Sequence, residues 1–402
     1  MIIHGDGMAD WRCDELGGKT PLEAAYKPNM DSIAARGELG LVATIPNGMP
    51  SGSDVGTMTM LGYDPARYHT GRAPIEAASQ GIPMGPRDVA FRMNLVTISP
   101  GPDGAPIMSD FTSGHITSEE AGKMVSDLNA QVGGGGIEFF PGVSYRHLMV
   151  WRDGINQTRL TPPHDITGRP VQPYLPSGEG AGKIERIMEQ ARALLNDHPV
   201  NLARRSAGKP EATSVWFWGQ GTRPAVPTLK DRFGVAGSVI SAVDLVMGLG
   251  RLAGLDVVKV PGATGFLDTD YAAKGRYGLE SLRRKDFLLL HIEAPDEAGH
   301  MGRADLKLEA LEKIDELIVG PMLKGLGGMG EFAILLMPDH ATPCKLKTHS
   351  NEPVPFAILT GNSPAELKAR RYTEADAART GILVTDGHKL IEALFRGGLS
   401  AN

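Results

Sequence analysis

The chain has 402 residues, of which 41% are hydrophobic and 22% charged, with a formal net charge of -6. That composition is globular and long enough for one large domain or two moderate ones, and its acidic balance argues against general nucleic-acid or membrane-surface binding, both of which need a basic face. Two cysteines, Cys13 and Cys344, without pairing or metal-knuckle spacing fit free thiols in a reduced, cytoplasmic compartment, and no apolar run approaches the roughly 20 residues that span a bilayer.

The first element reads as a short apolar strand, Met1-Ile-Ile-His4, ending in Gly5-Asp6-Gly7. The tight turn leaves the Asp6 carboxylate at a strand end, where α/β proteins keep their ligands; a turn aspartate that only stabilises its own backbone would look the same. Residues 28–37 read as a helix with an Asn29 cap and a Gly37 stop, followed by a strand over 39–45. Pro46 to Met58 then reads as a loop turning into a helix, with Ser53 at or just before its first turn. Backbone N–H groups and the dipole favour a phosphate there, and the hydroxyl could cap the helix or act as a nucleophile. Arg72 follows in the stretch 68–76, either a clamp for phosphate or carboxylate or a solvated surface arginine.

Residues 86–205 change texture. A strand over 91–97, an amphipathic helix over 118–131, strands over 137–140 and 147–152 and a polar helix over 183–196 lack a regular strand–helix alternation. They suggest a smaller α+β unit inserted in a larger domain formed by 1–85 and 206–402. Asp110 with His115, and His164 with Asp165, are polar clusters able to face a substrate and equally acceptable as turns. Ser177 to Ile184 imitates a P-loop, but Ser177 stands where the first glycine is required and Ile184 where Ser or Thr is required, so it reads as a loop before a helix.

From Ser214 the α/β rhythm resumes, with a helix over 239–252 and a strand over 256–260. The apolar run 286–292 is of the kind buried on both faces in a parallel sheet. It leads into Glu293-Ala-Pro-Asp296-Glu-Ala-Gly-His300, where Asp296 and His300 lie one helical turn apart. A helix over 305–318 returns the chain to another apolar strand, 332–337, which delivers Asp339 and His340; His349 follows in the loop before the apolar run 354–359. Asp386 reads as a cap before the last helix, 389–395. Carboxylate with imidazole suits zinc or manganese better than calcium or copper, although an isolated Asp-His pair at a strand end is more often structural.

Taken in order, Gly5-Asp6-Gly7-Met8, Gly17 to Glu23, Gly52-Ser53-Asp54 with Leu61-Gly62-Tyr63-Asp64, Tyr68 to Glu76, Pro261 to Asp270, Ala294 to His300, Pro338-Asp339-His340 and His349 to Phe356 carry a resemblance over most of the chain. They resemble the cofactor-independent phosphoglycerate mutases of the alkaline phosphatase superfamily, in their shorter archaeal-type branch. The resemblance implies an α/β fold: an alkaline-phosphatase-like core with a mostly parallel sheet flanked by helices, plus a smaller α+β domain that binds substrate and closes as a lid. It also implies two divalent metal ions, Mn2+ or Zn2+ with Mg2+ admissible. Asp296, His300 and His349 would hold one; Asp6, Asp339, His340 and Ser53 would hold the other. Ser53 would be the nucleophile, carrying a transient phosphoserine as 3-phosphoglycerate and 2-phosphoglycerate interconvert. Arg72, Arg92 and Lys274 would neutralise phosphate or carboxylate, with Asp110 and His115 as further substrate contacts. The implied partner is a small phosphorylated molecule, not nucleic acid or membrane, and assembly into a homo-oligomer stays open.

The chain departs from the family pattern in places. Met247 stands in a helix where the mutases often carry a basic residue, and Gly114-His115 where Gly-Arg is more usual. Gly114-His115 and Trp216 to Gly221 look more like a bacterial subgroup proposed to act as homoserine kinases. Homoserine kinase is therefore the alternative, ahead of a plain phosphatase or a catalytically silent binding protein; mutase and kinase share the metal chemistry.

Overall fold

A computed structural model describes residues 1–361 and 367–399. In chain order its strands are β1 (Ile2–Gly5), β2 (Glu38–Val42), β3 (Val89–Pro100), β4 (Pro106–Asp110), β5 (Ile137–Phe140), β6 (Arg146–Trp151), β7 (Ser214–Thr222), β8 (Gly237–Ile240), β9 (Asp256–Val257), β10 (Phe287–Ile292), β11 (Ala333–Met337), β12 (Val354–Thr360) and β13 (Leu383–Val384). The chain packs as two compact units, Met1–His69 with Val226–Asn402, and Thr70–Ala225.

The first unit holds an eight-stranded sheet in the order β13-β2-β12-β11-β1-β10-β8-β9. Its pairings are parallel except at β12, which runs against both β11 and β2. The apolar runs explain the centre of the sheet: every residue of β10 is buried, and helices flank the strands. Each buried aliphatic or aromatic side chain contributes about 1.5–3 kcal/mol relative to exposure, so these strands can only be interior. Because β8, β10, β1 and β11 lie side by side and point the same way, the residues just beyond them fall along one edge of the sheet. Those residues are Ser241, Glu293, Asp6 and, two beyond β11, Asp339.

Two expected helices differ. Residues 239–252 are not one helix: Val239 and Ile240 belong to β8, paired with Leu289 and Leu290, and the helix begins at Asp244. β-branched side chains packed between two strands outweigh a continuous apolar pattern. The helix over 305–318 leaves α geometry after Ile314 and continues as a π turn over Asp315–Val319. Asp315 also explains why Asn29 is not a cap. The helix Pro28–Arg36 starts with Pro28, and the Asp315 carboxylate accepts the N–H groups of Asn29 and Met30 at 3.2 and 2.7 Å.

The second unit is built on β3, which pairs antiparallel with β6, β7 and β4; β5 extends the sheet beyond β6. Alternate residues Val89, Phe91, Met93 and Leu95 share a core with Met124 and Leu128 of the helix Ser118–Gln131 and Ile184 and Ile187 of the helix Ala181–Asn196. On the other face Ala90, Leu148 and Val150 pack with Ala73 and Ala77 of the helix Ala73–Ser79. This unit is wider than residues 86–205 for that reason: β7 completes its sheet and the helix Ala73–Ser79 covers one face. Among the described residues no helix is long and apolar enough to cross a membrane.

Candidate metal centre

Three neighbouring strand ends and two helix starts bring ligand-type side chains together in the first unit. After β1, Gly7 turns the chain with φ +57°, and a Cβ there would sit 2.6 Å from Asp296 Oδ1; a side chain at this position would meet both backbone strain and a carboxylate. After β10, the helix Ala294–Met301 sets Asp296 and His300 one turn apart. Ser53 is the first residue of the helix Ser53–Met60, whose cap position is Gly52 and which has no side-chain cap. The serine hydroxyl is therefore not spent on capping; its Oγ lies 3.2 Å from His340 Nε2. Gly56 lets this helix approach β11, since a Cβ would come within 2.6 Å of the Asp339 carbonyl oxygen.

Asp296, His300 and His349 form one group whose ligand atoms lie within 4.8 Å of one another. His300 Nε2 is 3.1 Å from Asp296 Oδ2 and 2.9 Å from His349 Nε2, and His349 Nε2 is 3.5 Å from Asp296 Oδ1. The other ring nitrogens are taken by backbone carbonyls, Nδ1 of His300 by Lys347 at 3.1 Å and Nδ1 of His349 by Ser51 at 3.2 Å. Both Nδ1 atoms thus carry hydrogens, and both Nε2 lone pairs face the same point beside a carboxylate. Two lone pairs 2.9 Å apart repel unless a proton or a cation lies between them. The Asp296 hydrogen bond pushes His300 up to about 9.

Asp6, Asp339 and His340 form a second group, fully buried. His340 Nε2 is 3.2 Å from Asp339 Oδ2 and 3.7 Å from Asp6 Oδ1, and neither of those oxygens has a hydrogen-bond partner among the described residues. Burial, and then the charge of Asp339, push Asp6 well up; burial opposes the ionisation of Asp339 too, but His340 and His4 hold it well below the usual carboxylate range. Two buried carboxylates this close favour sharing one proton, or a cation in its place. Orphaned buried oxygens beside an imidazole and a hydroxyl are a donor set that fits a divalent ion. The two groups adjoin: the rings of His340 and His349 stack at 4.0 Å, and Thr342 Oγ1 contacts both Asp296 Oδ1 and His340 Nδ1.

The structure thus brings together Asp6, Ser53, Asp296, His300, Asp339, His340 and His349. Lys274 is in the same unit but fully buried, donating to the His291 carbonyl at 3.1 Å, with burial lowering its pKa to about 8. Arg72, Arg92, Asp110 and His115 belong to the second unit. There Arg92 pairs with Glu76 at 3.1 Å and lies over the Trp218 ring at 4.0 Å. Asp110 shapes its own turn, accepting from the N–H groups of Thr112 and Gly114 and from the Thr112 hydroxyl, and His115 is exposed with φ +48°.

Sequence reasoning missed His4, His291 and Glu293. His4 and His291 pair across β1 and β10, and with Asp6 they form a third buried group of ligand-type atoms. The available signal was a histidine inside each of two apolar strands, because a fully buried imidazole needs polar partners.

A family profile described as 2,3-bisphosphoglycerate-independent phosphoglycerate mutase matches residues 34–201. A protein of that name from Methanothrix thermoacetophila is 49% identical over 401 residues, 99% of each chain. A probable one from Geobacter sulfurreducens is 46% identical over 395 residues, 98% of this chain and 99% of its own. Among solved structures, a Pyrococcus horikoshii protein is similar with a TM-score of 0.83 at 29% identity, covering 100% of this chain and 98% of its own. The cofactor-independent phosphoglycerate mutase of Thermoplasma acidophilum gives a TM-score of 0.71 at 26% identity, covering 98% of both. With such identity over nearly its whole length, the chain belongs to the 2,3-bisphosphoglycerate-independent phosphoglycerate mutase family.

Proposed function

We propose that this protein interconverts 3-phosphoglycerate and 2-phosphoglycerate by passing the phosphoryl group through Ser53, with Asp296, His300 and His349 holding one divalent ion and Asp6, Asp339, His340 and Ser53 holding another. One observation carries the reading: an uncapped serine hydroxyl at a helix start stands 3.2 Å from His340, beside two buried carboxylate oxygens that lack partners. Bound ions would lower the pKa of the serine hydroxyl and neutralise charge on the attacking and leaving oxygens. The Ser53 oxygen forms a bond to phosphorus as the bond to the C3 oxygen of the substrate breaks, and the serine proton passes to that C3 oxygen, leaving glycerate and phosphoserine. The C2 hydroxyl then takes the phosphoryl group back from Ser53, which regains its proton. The first turn of the helix Ser53–Met60 favours the phosphate through its N–H groups and dipole.

Within the second unit, Arg92 is largely buried and paired with Glu76, with Arg72 and Arg146 near enough to lower its pKa, and this arginine group is assigned to anionic groups such as carboxylate or phosphate. Manganese or zinc fits the mixed oxygen and imidazole donors, and a cytoplasmic setting is part of the same reading. The relatives described above carry the mutase name, and the homoserine-kinase alternative gains no support from them. A coupled assay of the manganese-loaded protein on 3-phosphoglycerate, run beside homoserine with ATP, tests the choice. Brisk 2-phosphoglycerate formation is expected; background mutase activity with homoserine phosphorylation would reverse it.

A further inference from the structure

His291 is fully buried in an otherwise apolar strand, which is costly for an imidazole unless both nitrogens find partners. Both do. Its Nε2 is 2.9 Å from Asp6 Oδ2 and its Nδ1 is 2.8 Å from Ser241 Oγ. The backbone holds Ser241 in place: its Oγ accepts the Val243 N–H at 2.9 Å and lies 3.4 Å from the Val243 carbonyl. Because Nε2 faces the Asp6 carboxyl group, a neutral ring with its hydrogen on Nε2 donates to Asp6 and accepts the Ser241 hydroxyl at Nδ1. Glu293 Oε2 lies 3.1 Å from the same nitrogen. The outer oxygen of Asp6 is thus engaged, while the inner one, Oδ1, has no partner and faces His340.

We propose that His291, held between Ser241 and Asp6, is a positioning residue that fixes Asp6 with one oxygen engaged and the other aimed at the place His340 and Ser53 share. Histidine 4 supports it from the side, packed edge-on against the His291 ring at 4.6 Å, with its Nε2 3.1 Å from Asp339 Oδ1. Partners one layer behind a ligand orient it and raise its basicity, and their loss typically lowers metal affinity about 10–100-fold. The inference rests on the proposed ion site, but concerns residues that the proposed reaction leaves without a task.

The test is calorimetric titration of Mn2+ into the full-length, metal-stripped protein without substrate, so that binding and catalysis are read separately. Two equivalents are expected for the wild type. In His291→Leu one equivalent should weaken about 10–100-fold, the other staying within about threefold. His291→Gln, whose amide can replace the Nε2 hydrogen, should recover most of the loss. Ser241→Ala, which removes only a hydroxyl, should weaken the same equivalent by less and carries the test if His291→Leu does not fold. Unchanged affinities in Ser241→Ala together with a folded, unchanged His291→Leu would overturn the proposal. Equal weakening of both equivalents without rescue by Gln would do the same. So would a third wild-type equivalent lost in His291→Leu, which would mean that His4, Asp6 and His291 enclose an ion themselves. A wild type that binds no Mn2+ would instead remove the two-ion reading beneath it.

Discussion

Ion binding and pH should oppose each other in the stability of this protein. Without ions, Asp296 raises the His300 pKa from its ordinary 6.5 to about 9. A histidine whose folded pKa exceeds its unfolded value contributes stability that is complete below about pH 6.5 and is lost as pH rises through 9. The full effect would be about 3.4 kcal/mol at 1.36 kcal/mol per decade. The ring is 35% exposed, so screening reduces this to about 1–2 kcal/mol, of which about 1 kcal/mol falls between pH 6.5 and 8. Burial and the charge of Asp339 push Asp6 upward, so its contribution to the decline has the same sign. Bound ions require His300 and Asp6 deprotonated, so loading should remove this decline. For a unit of about 250 residues 1 kcal/mol corresponds to about 2 °C in Tm. The gap in Tm between manganese-loaded and chelated protein, measured by scanning calorimetry, should therefore be about 2 °C or more wider at pH 8 than at pH 6.5. A gap that is constant, or wider at pH 6.5, would refute the placement of an ion between Asp296 and His300.

Four substitutions probe the site and the loops that carry it. Asp296→Ala and His300→Ala should each lose one bound equivalent of metal and mutase activity, and retention of both equivalents by mass-spectrometric metal analysis would contradict the ligand assignment. Ser53→Ala should fold and retain the ion of Asp296, His300 and His349 but form no phosphoprotein, a difference of one phosphoryl group by intact-mass measurement. Lys307 is fully buried and donates to Asp10 Oδ2 at 2.8 Å and to the carbonyls of Ala9 and Thr342 at 3.1 and 2.8 Å, fastening the loop after β1 to the loop after β11. Lys307→Met leaves the buried Asp10 without its cation, held by the N–H groups of Trp11 and Cys344, and should cost about 3 kcal/mol; a Tm within about 2 °C of wild type would show that the strut is dispensable.

The three carboxylates of the candidate site were legible because each follows an apolar run whose end can be read directly: Asp6 after Ile2–Gly5, Asp296 after Phe287–Ile292 and Asp339 after Ala333–Met337. Where the strands lie relative to one another is a property of pairing, and no local pattern reveals it. That is why His4 and His291 passed as strand residues: their meaning depends on β1 lying beside β10. Asn29 failed as a cap for a similar reason, since an acceptor from a distant π turn, Asp315, took the helix amides. Asp110 illustrates the reverse case, in which a local explanation was available: its carboxylate is committed to its own turn. Ser53 remained ambiguous until its hydroxyl was seen outside the capping position.

The fate of the phosphoryl group tests the central claim most directly. Manganese-loaded protein would be given 3-phosphoglycerate carrying a radiolabelled phosphate, with no nucleotide and no 2,3-bisphosphoglycerate, and the label followed through protein, product and inorganic phosphate. The account predicts label passing transiently onto Ser53 and accumulating in 2-phosphoglycerate, with inorganic phosphate at background. Label released mainly as inorganic phosphate, or transferred to 2-phosphoglycerate without ever residing on Ser53, would contradict it.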